Sequence, residues 1–340
     1  MSNSAWSRLG LPFKALIIAI PIIGFAYLAV DNKWLKNNDS HDANMIENSD
    51  SALDKGAGGK SENTSNGATK DSSNFPYQAE KPIDGKLMGV VELGASGFNS
   101  FVVNIDEQKR WEMIAQDFGQ SLVYEGLATT DDISAGIKNY ISKMTEKGVD
   151  RKDMHFLISS GAQKDPKTKP IAAELKKMGF DVKLVTAQQE GEWALTSILP
   201  ASYHGTAFVT DIGSGNTKLA WVNGKKIEVQ EAPGSKYYEK DMKNEAVYEI
   251  IQQKASKVPV ANREVCFIMG GSPFDLAKQH RNGEERYTLL KNPDDYTGNK
   301  PKTKAGLNIY KAIKDATGCK TFVFDWYGSF SIGYLLALPN

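Results

Sequence analysis

Beyond residue 85, short apolar and β-branched runs alternate with longer stretches whose apolar positions recur every three to four residues. The first pattern predicts buried strands and the second amphipathic helices. Leu87–Glu92 is one such run; it meets Gly94-Ala95-Ser96-Gly97 and is followed at once by Phe98–Ile105. Strand, glycine turn and strand are expected there. Phe208–Asp211, the turn Gly213-Ser214-Gly215-Asn216 and the run Leu219–Val222 repeat the arrangement, so the two halves of this region read as an internal duplication. Between the hairpins, Thr130 and Asp131 cap a helix carrying Ile133, Ile137, Tyr140, Ile141 and Met144. His155–Ile158 and Phe180–Val185 read as strands, and helices are expected from Pro170 to Gly179 and from Gln188 to Ile198. After the second hairpin the pattern predicts helices over 237–253, 304–316 and 329–338, strands over 263–269 and 321–325, and a polar loop over 280–302. Strands alternating with helices imply an α/β fold in two lobes.

The N-terminal quarter follows another pattern. Ala15–Val30 holds no charge and lies between Lys14 and Asp31. As a helix it would span about 24 Å at ~1.5 Å per residue, a little short of a hydrocarbon core of roughly 30 Å. Leu9, Leu11 and Phe13 extend its apolar face while Lys14 snorkels. No small-x-small cleavage site follows, so an uncleaved single-pass anchor in a bacterial inner membrane is expected rather than a signal peptide. The lysines and arginines balance on its two flanks, and the charge count does not set the side on which the rest of the chain lies. Residues 31–84, rich in Asn, Ser, Asp, Lys and Gly, read as a disordered linker. The expected organisation is therefore a tail over 1–14, an anchor over 15–30, a linker over 31–84, and two lobes over 85–205 and 206–340.

Charge narrows the partners. The chain carries 41 basic and 41 acidic side chains and a net charge of zero, which leaves no electrostatic case for nucleic acid. Its four histidines are scattered without helical pairing, and two cysteines, Cys266 and Cys319, exclude a disulfide framework or a cysteine zinc site. Those two thiols read either as buried and free or, in an exported domain, as one bridge.

The glycine hairpins suggest phosphate chemistry. Glycines let backbone N–H groups approach an anion, and an acid at a strand end can hold a cation or a water. An acid on a neighbouring helix can act as general base. Glu190 fits that last role, although a solvated acid at a helix start is the plain alternative.

The motifs resemble those of the exopolyphosphatases and guanosine-pentaphosphate phosphatases (Ppx/GppA), relatives of actin, sugar kinases and heat-shock ATPases. The family's opening D-x-G-S-N-S is similar to Glu92-Leu-Gly94-Ala-Ser-Gly97, and its A-T-S-A-x-R to Ile158-Ser159-Ser160-Gly161-Ala162-Gln163. Its S-x-x-E-E-A/G resembles Thr186-Ala-Gln-Gln189-Glu190-Gly191, and its D-I-G-G-G-S-T-E resembles Asp211-Ile-Gly213-Ser-Gly215-Asn-Thr217-Lys218. Gly270-Gly271-Ser272 stands where the family has G-G-T.

The resemblance implies two ribonuclease-H-like lobes with a cleft between them. It further implies Glu190 and Asp211 as catalytic residues, and Glu92 and Asp211 as ligands of Mg2+. The phosphate cradle would be Gly94, Ala95, Ser96, Gly213, Ser214, Gly215, Asn216, Thr217 and Lys218. Polyphosphate or a guanosine polyphosphate would be the ligand, and a homodimer or a membrane-protein partner stays open. Several positions depart from the family pattern. Glu92 is a methylene longer than the usual aspartate, Gln163 replaces a phosphate-clamping arginine, and Lys218 replaces a glutamate. Two readings follow: a membrane-anchored phosphoanhydride hydrolase, or a catalytically impaired member acting as a tethered ligand sensor or protein scaffold. An actin-like ATPase ranks behind both.

Overall fold

The computed structural model describes residues 75–94, 97–120, 130–166 and 168–339. The expected anchor, most of the expected linker, and Ala95 and Ser96 lie outside the described residues. Among those described, no helix is long and apolar enough to cross a membrane.

Two mixed sheets form the frame. The first has the order β3-β2-β1-β4-β5, from β1 (Lys86–Gly94), β2 (Gly97–Ile105), β3 (Trp111–Gln120), β4 (Met154–Ile158) and β5 (Val182–Leu184). The second comprises β6 (Ala207–Ile212), β7 (Asn216–Asn223), β8 (Lys226–Pro233), β9 (Val265–Met269), β10 (Tyr287–Leu289) and β11 (Thr321–Asp325), in the order β10-β11-β9-β6-β7-β8. Apart from β10, each sheet is an antiparallel meander of three strands whose first member continues into parallel partners. The duplication read from the hairpins is thus a duplication of whole sheets, each with the ribonuclease-H-like strand order.

Helices cover the outer faces. On the first sheet, α1 (Thr130–Glu146) and α2 (Thr168–Lys177) supply Ile133, Ile137, Met144, Ile171 and Leu175 to a core with Val91, Phe98 and Phe156. On the second sheet, Ile251 of α4 (Asn244–Ala255) and Ile309 and Ile313 of α6 (Pro301–Thr317) pack with Phe208, Ile268 and Phe324. The short α5 (Gly271–Ala277) follows β9.

Two helices sit between the sheets. In α3 (Ala187–Ile198), Ala194, Leu195 and Ile198 share one core with Ile332 and Leu335 of α7 (Phe330–Ala337), Val90 and Val103 of the first sheet, and Val209 and Val323 of the second. Although α3 follows the first sheet in sequence, it packs on the second sheet, while α7 packs on the first. A Cβ placed on Gly333 of α7 would fall 1.8 Å from the Trp193 carbonyl oxygen, so only glycine allows this approach of the two helices.

Some expectations are corrected. The helix expected over 237–253 begins as a 3-10 turn at Tyr237–Lys240, breaks at Asp241 with a φ of 54°, and resumes only at Asn244. The polar tract over 280–302 contains β10, and β3 and β8 join as strands that the apolar pattern does not announce. The expected linker does not reach residue 84 as free chain, because Phe75 and Tyr77 pack against the inter-sheet core. Cys266 and Cys319 are both free, buried thiols.

Candidate active-site cleft

The second hairpin places Asp211 directly opposite Lys218, and Ile212 opposite Thr217. Its turn closes through the Gly213 N–H, which donates to the Asn216 carbonyl at 3.1 Å. The loop after β8 buttresses that turn. Ser235 donates to the Gly213 carbonyl from both its N–H (2.9 Å) and its hydroxyl (3.2 Å), and Lys236 N–H donates to the Ser214 carbonyl. A Cβ on Gly234 would lie 2.4 Å from the Asn216 nitrogen. From the other side, Gly270 approaches the Ile212 carbonyl at a φ of 107° that favours glycine. Three glycine turns therefore meet at the end of β6, and Gly213, Ser214 and Gly215 form their half-exposed rim.

Beneath that rim lies a buried ion triad. The Lys218 ammonium stands 2.6 Å from Glu190 Oε2 and 3.2 Å from Asp211 Oδ2. All three side chains are less than a tenth exposed. Burial acts to lower the Lys218 pKa, but the carboxylates of Asp211 and Glu190 outweigh it and hold the ammonium above the ordinary lysine value. Glu190, in the first turn of α3, also accepts from the Ser160 N–H (2.5 Å) and the Ser160 hydroxyl (3.1 Å). A carboxylate offers about four lone-pair sites, and three of Glu190's are taken.

Glu92 lies two residues before the end of β1, beside this triad, and its Oε2 accepts from Asn99 Nδ2 (3.2 Å) and the Ser331 hydroxyl (3.1 Å). Burial pushes its pKa up to about 7, with Glu190 and Asp211 adding to the rise and the two hydrogen bonds opposing it.

The structure brings Glu92, Glu190, Asp211 and Lys218 together, and other assigned positions bond to neighbouring strands and loops. Thr217 is wholly buried and its hydroxyl donates to the Pro233 carbonyl at 2.9 Å. Asn216 donates through Nδ2 to Ser160 Oγ (3.2 Å) and Glu231 Oε1 (2.8 Å). Gln163, at the arginine position, donates through Nε2 to the carbonyls of Ile158 (2.9 Å) and Val185 (2.8 Å), tying the ends of β4 and β5. Gly94 lies beside Glu92 at the end of β1. Sequence reasoning passes over Asn99 and Ser331. Asn99 could be found from the hairpin register opposite Glu92, whereas Ser331 arrives on a helix 239 positions away and carries no local signal.

A divalent cation does not fit these residues. The Lys218 ammonium already bridges Glu190 and Asp211, and Glu92 Oε2 faces an amide and a hydroxyl donor. Among the described residues no group of three or more acidic, histidine or cysteine side chains could hold a metal ion. Mg2+ held by Glu92 and Asp211, as expected from the resemblance, would have to share Asp211 with that ammonium.

The fold and its cleft define a two-lobed α/β protein with a glycine hairpin at the end of the first strand in each sheet. No family model and no curated protein matches the sequence. Solved structures do match. A Ppx/GppA family member from Aquifex aeolicus superimposes with a TM-score of 0.58 at 18% identity, covering 74% of this chain and 97% of that one. An exopolyphosphatase from Cytophaga hutchinsonii does so at 0.59 and 15%, covering 74% and 96%. The fold of this chain is the Ppx/GppA fold.

Proposed function

We propose that this protein is a hydrolytically silent relative of the Ppx/GppA phosphatases that serves as a protein scaffold tethered to a membrane through residues 15–30. One observation carries the reading: the Lys218 ammonium bridges the base candidate Glu190 and the strand-end Asp211. A general base needs a free lone pair aimed at water, and three of this carboxylate's roughly four lone-pair sites are committed to Ser160 and Lys218. The charge balance points the same way. One ammonium stands against two carboxylates and Glu92, and Gln163 in place of an arginine removes one charge-assisted clamp for a phosphate chain. What the chain keeps is the frame: both sheets, both hairpins and the glycines that hold them.

The purified chain, incubated with Mg2+ and polyphosphate, guanosine polyphosphates or nucleoside triphosphates, is expected to release phosphate no faster than its Glu190→Gln variant. Robust release that Glu190→Gln abolishes would overturn the proposal in favour of a hydrolase. A rise in melting temperature with polyphosphate but no turnover would replace the scaffold by a ligand sensor.

A further inference from the structure

Residues 75–83 carry neither helix nor strand. They run extended, with Phe75, Tyr77 and Ala79 half-buried and Pro76, Gln78 and Glu80 exposed. The two ends of this segment are held by different sheets.

At the first end, the Phe75 ring lies 5.7 Å from Tyr203, 5.6 Å from Phe267 on β9 and 6.2 Å from Tyr287 on β10. Tyr77 reaches Tyr203 and Tyr287 at 6.2 and 5.7 Å. Each is within the range of favourable edge-to-face packing. At the other end, the Ile83 N–H donates at 3.0 Å to Oδ2 of the buried Asp106, just past β2. Lys81 lies 3.4 Å from Glu112 of β3, a solvent-exposed pair that adds little by itself. Between its ends the segment spans a cavity of about 530 Å³.

Arg286 crosses the same gap under the segment. It binds Asp325 of the second sheet at 3.0 and 3.1 Å and donates to the Ser197 carbonyl of α3 at 3.3 Å. Its guanidinium lies 4.3 Å from the centre of the Trp111 ring of β3. This is the end of the molecule away from the glycine turns. β1 has Lys86 at one end and Gly94 at the other, nine residues that put the two sites roughly 26 Å apart at ~3.3 Å per residue.

We propose that residues 75–83 are an inter-lobe clasp, which fixes the angle between the two sheets and makes that angle depend on the chain preceding Phe75. Phe75 is where the described fold begins, so a force or a binding event transmitted along the chain towards residue 75 acts on Phe75 and Tyr77. Release of the clasp leaves both sheets intact and frees α3 and α7, the two helices packed between them. The inference does not depend on whether the cleft hydrolyses anything.

Hydrogen–deuterium exchange on the full chain in detergent tests it with two variants. Phe75→Ala combined with Tyr77→Ala releases the second-sheet end, and Lys81→Ala combined with Ile83→Pro releases the first-sheet end without touching the aromatic cluster. Both are expected to speed exchange at least tenfold in α3 and α7 while β1, β2, β6 and β7 keep their protection. Unchanged exchange in α3 and α7 in either variant would overturn the clasp. So would uniformly faster exchange over both sheets, which would make the segment ordinary core packing. Phe75→Leu, which keeps an apolar group in the cluster, should restore most of the protection.

Discussion

Lys218 is the shared counter-charge of two buried acids. Removing its ammonium leaves Glu190 and Asp211 buried without their shared counter-charge, a change that typically costs about 3–5 kcal/mol. Lys218→Met should therefore lower unfolding stability by that order in denaturant titration, with little change in the slope. Lys218→Gln should behave differently towards Mg2+. The wild-type melting temperature is expected to ignore millimolar Mg2+, whereas the variant, with two acids freed, should rise with it by mass action. A wild-type protein stabilised by Mg2+ would contradict the placement of Lys218 as the resident cation.

Glu92 supplies a pH dependence. Its folded pKa of about 7 lies above the ordinary value of 4.5, so the folded state holds the extra proton in between. Its contribution to stability is complete below pH 4.5 and is lost as pH rises through about 7. Glu92→Gln should remove that slope, making the variant more stable relative to wild type at pH 8 than at pH 5 by about 3 kcal/mol at most.

At the scale of elements, the α3–α7 crossing is the tightest contact between the two halves. Gly333→Ala would place a methyl group against the Trp193 carbonyl, where backbone and not a flexible side chain must move. A loss of at least ~2 kcal/mol is expected, seen as a lower melting temperature. The strands that the apolar pattern misses have a common cause. Trp111–Gln120, Lys226–Pro233 and Tyr287–Leu289 all lie at sheet edges. An edge strand is paired along one side only; Lys226–Pro233 is half-exposed along most of its length, and Tyr287–Leu289, though largely buried, is only three residues long. The strands expected over 208–211, 263–269 and 321–325 are central or next to central, and their β6, β9 and β11 counterparts are almost wholly buried.

For the whole molecule, the clasp predicts a cost for trimming. A chain beginning at residue 85 loses the Phe75 and Tyr77 contacts and the Ile83–Asp106 hydrogen bond. It should melt roughly 3–8 °C below one beginning before Phe75, for about 2 kcal/mol lost in a domain of this size. Such a trimmed chain is a poor reference for measurements on the cleft.

The amino-acid sequence by itself determined the hairpins, and with them the meeting of Asp211 and Lys218. Once two strands are joined by a short turn, register alone sets residues 211 and 218 side by side. It also determined the sheet centres, through apolar runs that cannot be left in water. The tertiary structure decided what that pair does. Glu190 reaches Lys218 only because α3 leaves the first sheet and packs on the second, and Ser331 reaches Glu92 only because α7 crosses in return. Those approaches depend on packing between parts of the chain far apart in sequence, and on a glycine at 333 whose reason is invisible until Trp193 lies against it. Local periodicity carries no information about such contacts. For that reason the chain announces its cleft, while only its fold reveals that a lysine closes it.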